Sequence, residues 1–266
     1  MLEFRTLCLS DIHLGTKSCK AEYLLDFLNH IHCQTLYLVG DVFDLERMRN
    51  GGWYWPEIHH QVLLSILALA REGTEVVYIP GNHDELLRDY VGTEFKGIRL
   101  QMREIHENAD GRRFLILHGD EYDTFVSSGS WSSMLGCLTY DGLVEINRWV
   151  NLTRRRFGLP YWSFASFLKQ RIGNARRYIE KFENTLLEDA LHQGLDGIVC
   201  GHIHHPALKQ CDGLMYGNCG DWVENCTALV EDFDGGWRLI RWAEESARLL
   251  DLGQDYNEME PEVSGI

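Results

Sequence analysis

Aspartate, asparagine and histidine recur in five short blocks of this 266-residue chain. The blocks are Asp11-Ile12-His13, Gly40-Asp41-Val42-Phe43-Asp44, Gly81-Asn82-His83-Asp84, His118-Gly119-Asp120 and Gly201-His202-Ile203-His204. Imidazole nitrogens and side-chain oxygens are common metal ligands, and seven side chains in the blocks could serve: Asp11, His13, Asp41, Asn82, His118, His202 and His204. Seven ligands exceed the need of one ion. The pattern therefore predicts two divalent ions that share a carboxylate, an arrangement used for phosphoryl displacement.

The predicted ligands combine nitrogen with oxygen and include no thiolate. Such a set suits Mn²⁺, Fe²⁺ or Zn²⁺, whereas Ca²⁺ prefers oxygen alone and structural zinc sites are rich in sulfur. Mn²⁺ is the expected ion. Of the 12 histidines, 5 fall in the blocks, which argues against a chance collection of turn-forming residues.

The first three blocks follow predicted β-strands. Apolar runs predict strands over Leu2–Ser10, Thr35–Val39 and Glu75–Ile79, and helical spacing of apolar residues predicts helices over Ala21–His32 and Trp55–Glu72. The order βαβαβ predicts a parallel sheet with right-handed crossovers. Because the carboxyl ends of parallel strands meet at one edge, we expect these blocks to share a site there.

Further strands are predicted over Ile98–His106, Phe114–Leu117 and Gly197–Cys200, and the last two lead into histidine-bearing blocks. The segment Leu208–Trp242 alternates short β-like runs with glycine-rich turns, so it is expected to form a second sheet. Within it, Gly217–Trp222 is interpreted as a turn.

Charge is unevenly distributed along the chain. The formal net charge of −15 argues against a general nucleic-acid surface, so no nucleic acid is expected as a partner and a nuclease is a weaker alternative. Residues 148–181, however, hold nine Lys and Arg and one Glu, a local charge of +8 that leaves −23 elsewhere. They belong to residues 128–194, interpreted as a helical cap inserted into a domain spanning 1–250. The acidic residues 251–266 are predicted to be a disordered tail.

The cap supplies the candidate substrate-binding cations, which are Arg154, Arg155, Arg156, Lys169, Arg176 and Arg177. They are expected to hold phosphate groups or an anionic membrane surface, with a solvated helix face as the alternative. The eight cysteines include no C-x-x-C pair, and no apolar leader opens the sequence. A cytoplasmic protein with reduced thiols is expected, in peripheral contact with the inner face of the cytoplasmic membrane. The oligomeric state stays open.

Together the five blocks resemble the motif series of the calcineurin-like metallophosphoesterase superfamily. The resemblance implies an α/β fold in which a β-sheet sandwich is flanked by helices and carries the helical cap as an insertion. It assigns Asp11, His13, Asp41 and His204 to one metal and Asp41, Asn82, His118 and His202 to the other. It also places His83 beside the leaving group or the phosphoryl oxygens, oriented by Asp44. Two ions held by two carboxylates would stay positive, attract a phosphate ester and acidify a shared water.

Two further segments, Trp53-Tyr54-Trp55-Pro56 and Gly220-Asp221-Trp222-Val223-Glu224, resemble the branch related to UDP-2,3-diacylglucosamine diphosphatase. That branch cleaves the pyrophosphate of a nucleotide-linked glycolipid to lipid X and UMP, so the resemblance implies a small, lipid-linked anionic phosphoester as substrate. His83 departs from the branch, whose members carry Arg there. A metal-dependent phosphodiesterase with another small substrate is therefore one alternative. A non-enzymatic membrane-docking scaffold, suggested by the basic cap, is the other.

Overall fold

The computed structural model of this chain describes residues 1–123, 154, 156 and 173–245, with side chains of the last range described from residue 176. Arg155, Lys169, most of the predicted cap and the predicted tail 251–266 lie outside the described residues. Within the described ranges, no helix has the length and apolar character needed to cross a membrane.

Twelve strands in two sheets form the described part of the chain. The first sheet contains β1 (Leu2–Leu9), β2 (Ile31–Val39), β3 (Glu75–Ile79), β4 (Glu94–Phe95), β5 (Ile98–Leu100), β11 (Thr227–Glu231) and β12 (Trp237–Arg241). The second sheet contains β6 (Arg103–Glu107), β7 (Arg113–Leu117), β8 (Gly197–Cys200), β9 (Ala207–Cys211) and β10 (Leu214–Asn218). The spatial orders are β12-β11-β1-β2-β3-β5-β4 and β6-β7-β8-β10-β9. The predicted parallel pairing of β1, β2 and β3 is confirmed.

Helices cover the outer faces of both sheets. The α-helices are α1 (Ala21–His30), α2 (Leu45–Arg49), α3 (Glu57–Arg71) and α4 (Gly173–His192), and 3₁₀ segments span Glu85–Tyr90 and Asp120–Tyr122. Alternate strand residues point to opposite sheet faces, so Leu7 packs with α1 and α3 while Cys8 packs between the sheets. Likewise Phe114 lies between the sheets and Leu115 packs with α4. The predicted sandwich flanked by helices is confirmed.

The prediction of one strand over Ile98–His106 is wrong. β5 ends at Leu100 in the first sheet, whereas Arg103 pairs with Leu117 in the second. The chain crosses between the sheets in the two intervening residues. Ile98, Leu100 and Met102 alternate with polar residues, but the next apolar residue is Ile105, so the phase of the alternation changes at this crossing.

The prediction that Leu208–Trp242 forms one second sheet is also wrong for its last two strands. β11 pairs antiparallel with β1, and β12 pairs with β11, so both extend the first sheet. β11 is buried along its whole length. Such a strand gains hydrogen-bonding partners on both edges by inserting between β1 and β12.

Helix boundaries differ modestly from the predictions. α1 ends at His30 and β2 begins at Ile31, because Ile31 and Cys33 are buried strand residues that alternate with exposed ones. α3 begins at Glu57, with Pro56 preceding it as its N-cap. Part of the predicted cap also proves to be core, because α4 packs its apolar residues on the second sheet.

Replacing Phe182 by alanine tests whether α4 is a structural layer of the domain. Phe182 is fully buried (0% exposed) in the cluster that joins α4 to the second sheet. Its truncation should lower the free energy of unfolding by about 3–5 kcal/mol. On the same helix Leu191 is 62% exposed, so Leu191→Ala is a matched control with a change below about 0.5 kcal/mol. Urea unfolding measures both, and equal small losses would contradict this packing.

Candidate metal centre

The seven predicted ligands lie in loops that follow β1, β2, β3, β7 and β8, where the two sheets meet. Asp41 Oδ2 is 3.4 Å from His118 Nε2 and 4.0 Å from His13 Nε2. His204 Nε2 lies 3.2 Å from Asp11 Oδ1. Asn82 Oδ1 lies 3.3 Å from His118 Nε2.

His202 completes the set through both its backbone and its ring. Its backbone N–H donates to Asp11 Oδ2 at 2.9 Å, and its ring centroid is 5.2 Å from that of His118. The structure thus brings all seven predicted ligands together. Two triads within this set, Asp11 with His13 and His204 and Asp11 with Asp41 and His118, hold ligand atoms within 4.8 Å of one another.

The backbone at these positions is unusual. Five of the seven predicted ligands have φ between 50° and 69°, a left-handed conformation that non-glycine residues seldom adopt: Asp11, His13, Asp41, His202 and His204. Neighbouring loops hold this geometry, because Asp11 N–H donates to Gly40 O at 3.0 Å and His13 N–H donates to Asp41 O at 2.9 Å. The left-handed turns after the strands thus bring the side chains of these five residues close together.

Two block glycines are required by close approach to the ligands. A Cβ on Gly40 would lie 2.2 Å from His118 Nδ1. One on Gly81 would lie 2.2 Å from Asp41 Oδ1 and 2.7 Å from His118 Nε2. Both contacts are far shorter than van der Waals distance, so the G-D and G-N pairs leave room for imidazole and carboxylate from adjoining strands.

Buried opposite charges dominate the electrostatics of the cluster. Burial acts to raise the pKa of Asp11, but the neighbouring His204 lowers it to about 2. The same competition, with His118 as the partner, holds the pKa of Asp41 well below its usual range. Burial acts to lower the pKa of His118, yet Asp41 raises it to about 10. The neighbouring imidazoles therefore favour the ionised form of both buried carboxylates.

These residues fit divalent metal ions by their donor atoms and by their hydrogen bonding. Among the described residues, Asp11 Oδ1 and His13 Nε2 are buried and form no hydrogen bond of acceptable geometry. Divalent ions can replace the protons that balance the buried carboxylates. The mixture of imidazole nitrogen and carboxylate or amide oxygen is compatible with Mn²⁺, Fe²⁺ or Zn²⁺.

His83 and Asp44 lie beside the cluster. Asp44 Oδ1 is 3.3 Å from His83 Nδ1, and Asp44 Oδ2 is 3.4 Å from His13 Nδ1. Burial acts to lower the pKa of His83, but Asp44 and Asp41 raise it to about 9. The side chain of His83 is 33% exposed, against 8% for Asp44. His83 is therefore exposed enough to reach a substrate, and Asp44 lies within ion-pair distance of one of its ring nitrogens.

Three buried or half-buried carboxylates near the ligands were not predicted to support them. Asp84 accepts from the backbone N–H groups of Asp41, Val42 and Gly81 and from the Tyr78 hydroxyl, so it ties two ligand-bearing loops together. The position of Asp84 in the block Gly81-Asn82-His83-Asp84 was the sequence feature that could have indicated this supporting role. The other two are Asp123 and Asp221, which approach histidines of the last block.

Asp123 and Asp221 stand behind His202 and His204. Asp123 Oδ2 is 3.0 Å from His202 Nε2, and its other oxygen accepts the Tyr178 hydroxyl from α4. Asp221 Oδ2 is 3.7 Å from His204 Nδ1 and lies in the segment interpreted as a turn. The turn prediction is wrong for Gly217 and Asn218, which belong to β10; the turn follows Asp221, which accepts the N–H groups of Val223 and Asn225. A carboxylate against one ring nitrogen leaves the other free for a metal.

Four of the six predicted substrate-binding cations belong to the described part of the chain. Arg154 is half-buried, and Arg156, Arg176 and Arg177 are exposed. Arg176 Nε pairs with Glu180 at 2.9 Å, one turn along α4. Such exposed pairs are weak, so Arg176 keeps the freedom to engage another anion.

Gly81→Ala tests the close packing of the ligands. The new Cβ would displace Asp41 and His118, so Mn²⁺ affinity should fall by about 10–100-fold in isothermal titration calorimetry. Gly236→Ala is the control, because its nearest contact is the end of the exposed Asp234 side chain at 3.1 Å. Undiminished affinity in a folded Gly81→Ala protein would contradict the packing described above.

Asp123→Ala tests the support of His202 from behind. Loss of the carboxylate frees the imidazole to rotate, so the affinity for one Mn²⁺ should fall by about 10–100-fold while overall folding is retained. Asp189→Ala is the matched control, since Asp189 on α4 also accepts a tyrosine hydroxyl, that of Tyr122, at 2.6 Å. Equal losses of affinity in the two variants would mean that packing of α4, and not orientation of His202, is responsible.

Comparison with known proteins extends these observations. The family model for the calcineurin-like phosphoesterase matches residues 4–206. A UDP-2,3-diacylglucosamine hydrolase from Yersinia pestis bv. Antiqua (strain Angola) is 25% identical over 215 residues, covering 78% of this chain and 85% of that protein. One from Pectobacterium carotovorum subsp. carotovorum is 24% identical over 230 residues, covering 82% and 91%.

Among solved structures, an archaeal phosphodiesterase is similar with a TM-score of 0.44 and 16% identity, covering 88% of this chain and 98% of its own. A hypothetical protein from Pyrococcus horikoshii OT3 gives a TM-score of 0.47 at 11% identity, covering 94% of each chain. All five blocks fall inside the residues matched by the family model. The chain therefore belongs to the calcineurin-like phosphoesterase family, and the predicted family, fold class and phosphoesterase activity are confirmed.

Proposed function

We propose that this phosphoesterase uses two divalent metal ions to hydrolyse the pyrophosphate bond of a UDP-2,3-diacylglucosamine-like glycolipid, giving lipid X and UMP. The observation that carries the two-metal part is the position of Asp41, whose Oδ2 lies within 4.0 Å of His13 and of His118. These histidines belong to different ligand groups. A carboxylate between the two groups can be shared by two ions.

The proposed ligand sets follow from these contacts and from the family pattern. Asp11, His13, Asp41 and His204 would hold one ion, and Asp41, Asn82, His118 and His202 the other. Mn²⁺ is the proposed metal, because the donor set mixes imidazole with oxygen and lacks sulfur. When bound, such ions supply Lewis-acid polarisation of the phosphoryl group and activation of a water.

His83 is proposed to hold a proton for the reaction. Asp44 Oδ1 lies 3.3 Å from His83 Nδ1. The other ring nitrogen, Nε2, would donate to a phosphoryl or leaving-group oxygen. Asp44 would keep the ring in that orientation, and the Arg47 N–H at 3.0 Å helps to fix Asp44 itself. Arginine at this position could stabilise charge but could not release a proton near neutral pH.

The lipid-linked part of the proposal is supported by the relatives, which are named for UDP-2,3-diacylglucosamine. It is also supported by the basic charge of residues 148–181. The proposed contacts to substrate phosphate and to an anionic bilayer are Arg154, Arg155, Arg156, Lys169, Arg176 and Arg177. Three of these are exposed cations of the described residues, available to bind such a surface.

His83 favours a second candidate, a metal-dependent phosphodiesterase of another small substrate. Its imidazole serves general acid chemistry on many phosphoesters, and the lipid A diphosphatases carry Arg at this position. The two candidates share the metal centre and differ in the organic half of the substrate. Product analysis therefore separates them.

Hydrolysis assays with purified, chelator-treated protein test the proposal. UDP-2,3-diacylglucosamine should stay intact without metal and yield UMP and lipid X after Mn²⁺ is restored, as followed by mass spectrometry. Asp41→Ala removes the shared ligand and should lower kcat by about 10³-fold or more. Glu188→Ala, which removes an exposed carboxylate on α4, should leave kcat unchanged.

The outcomes separate the candidates. Mn²⁺-dependent cleavage of bis(p-nitrophenyl) phosphate with an intact glycolipid would support the phosphodiesterase and reject the lipid substrate. Activity that is insensitive to chelator and to Asp41→Ala would reject both, because neither can proceed without the metal centre.

A further inference from the structure

Four aromatic rings in contact, called here the aromatic ladder, run from the buried Tyr78 through Phe43 and Trp55 to the exposed Trp53. Phe43 stacks with Tyr78 at a centroid separation of 6.3 Å and with Trp55 at 6.1 Å. The ring centroids of Trp53 and Trp55 are 6.5 Å apart. Trp53 is nonetheless 71% exposed, so most of an indole ring faces water while its neighbour braces it. An indole held in place by a neighbouring ring and exposed over most of its area is available to stack on a ligand.

The ladder is joined to the candidate metal centre. Phe43 directly precedes Asp44, the partner of His83. The N–H of Gly52, the residue before Trp53, donates to Arg47 O at 3.0 Å, and the N–H of Arg47 donates to Asp44. Trp53 therefore follows a short, hydrogen-bonded connection from the residue proposed to orient the catalytic imidazole.

A cation accompanies the rings. Lys17 lies four residues after the candidate ligand His13, and its Nζ is 5.8 Å from the ring centroid of Tyr54. The same loop is tied to the aromatic segment at a second point, where Gly15 N–H donates to His59 Nδ1 at 3.1 Å. The His59 ring in turn meets Tyr54 and Trp55 edge to face. The ammonium group of Lys17 thus lies over Tyr54, the residue that directly follows the exposed Trp53.

This pairing of groups matches one class of ligand. A flat exposed indole binds the face of a planar heterocycle, and a stacked base contributes about 1–3 kcal/mol. The ammonium group binds phosphate as a point charge. An acyl chain needs an enclosed apolar groove and no cation, so a nucleoside phosphate fits better.

We propose that Trp53 is the stacking platform for the nucleobase of the substrate and that Lys17 binds the phosphate attached to its nucleoside. The proposal rests on the proposed function, because it assigns the nucleotide half of that substrate a place on the protein. It also identifies the specificity-determining surface as the first-sheet loops, beside the candidate metal centre.

Calorimetric titration of the Mn²⁺-loaded protein with UMP and with ribose 5-phosphate, which lacks the base, tests the platform. The wild type should bind UMP about tenfold more tightly than ribose 5-phosphate. Trp53→Ala should bring the two affinities within twofold by weakening UMP alone, and Trp53→Phe should keep most of the difference. Lys17→Ala should weaken both ligands by the same factor.

Phe233→Ala is the control, because Phe233 is 52% exposed but lies in the turn between β11 and β12. It should change neither affinity. Equal binding of the two ligands by the wild type would overturn the proposal, as would equal weakening of both by Trp53→Ala. Selective loss of UMP in Trp53→Ala would support the platform even if UDP-2,3-diacylglucosamine is not hydrolysed, so the two proposals fail separately.

Discussion

The placement of two buried carboxylates at the junction of the sheets is the constraint on which this structure depends. Asp11 and Asp41 are almost fully buried, and an ionised carboxylate removed from water is strongly destabilising unless it is paired. Their partners, His118 and His204, come from loops of the second sheet. His13, from a first-sheet loop, lies farther from Asp41, at 4.0 Å, so the histidines nearest to the two carboxylates come from the second sheet. The loop ends of both sheets must therefore meet, and the sandwich core holds them in that position.

The close approach of loops from the two sheets requires unusual backbone conformations at the ligand positions. Five predicted ligands adopt left-handed φ values, each of which is unfavourable by about 1–2 kcal/mol for a residue with a side chain. Hydrogen bonds that continue between loops beyond the last strand residues offset the strain. Leu14 N–H donates to Val42 O at 2.8 Å, Gly201 N–H donates to His118 O at 3.0 Å, and Trp222 N–H donates to Asp11 O at 3.0 Å. These loops therefore continue the hydrogen bonding of the sheets and fix the backbone from which the candidate ligands project.

Sequence patterns predicted that the seven candidate ligands lie close together, because each block directly follows a β-strand. They failed where the decisive contacts are distant in the chain. The apolar alternation in Ile98–His106 changes phase between Met102 and Ile105, and the prediction of a single strand did not use this short signal of the crossing at residues 101–102. The sheet of β11 was predicted wrongly because the residues of β11 carry no signal that identifies β1 as its pairing partner. Asp123 and Asp221 resemble ordinary turn aspartates until the fold brings histidines to them.

The two sheets make unequal contributions around the shared carboxylates. Loops of the first sheet carry His83, Asp44 and the aromatic ladder, which are among the groups proposed above to act at the substrate. Loops of the second sheet carry histidines that are supported from behind, and Asp123 links one of them to Tyr178 on α4. Because α4 also fills the outer layer of the second sheet, a displacement of this helix would move both the core and the ligand His202. Four of the seven proposed metal ligands come from first-sheet loops and three from second-sheet loops, so the geometry of the candidate metal centre depends on both sheets and on the helix that packs against the second.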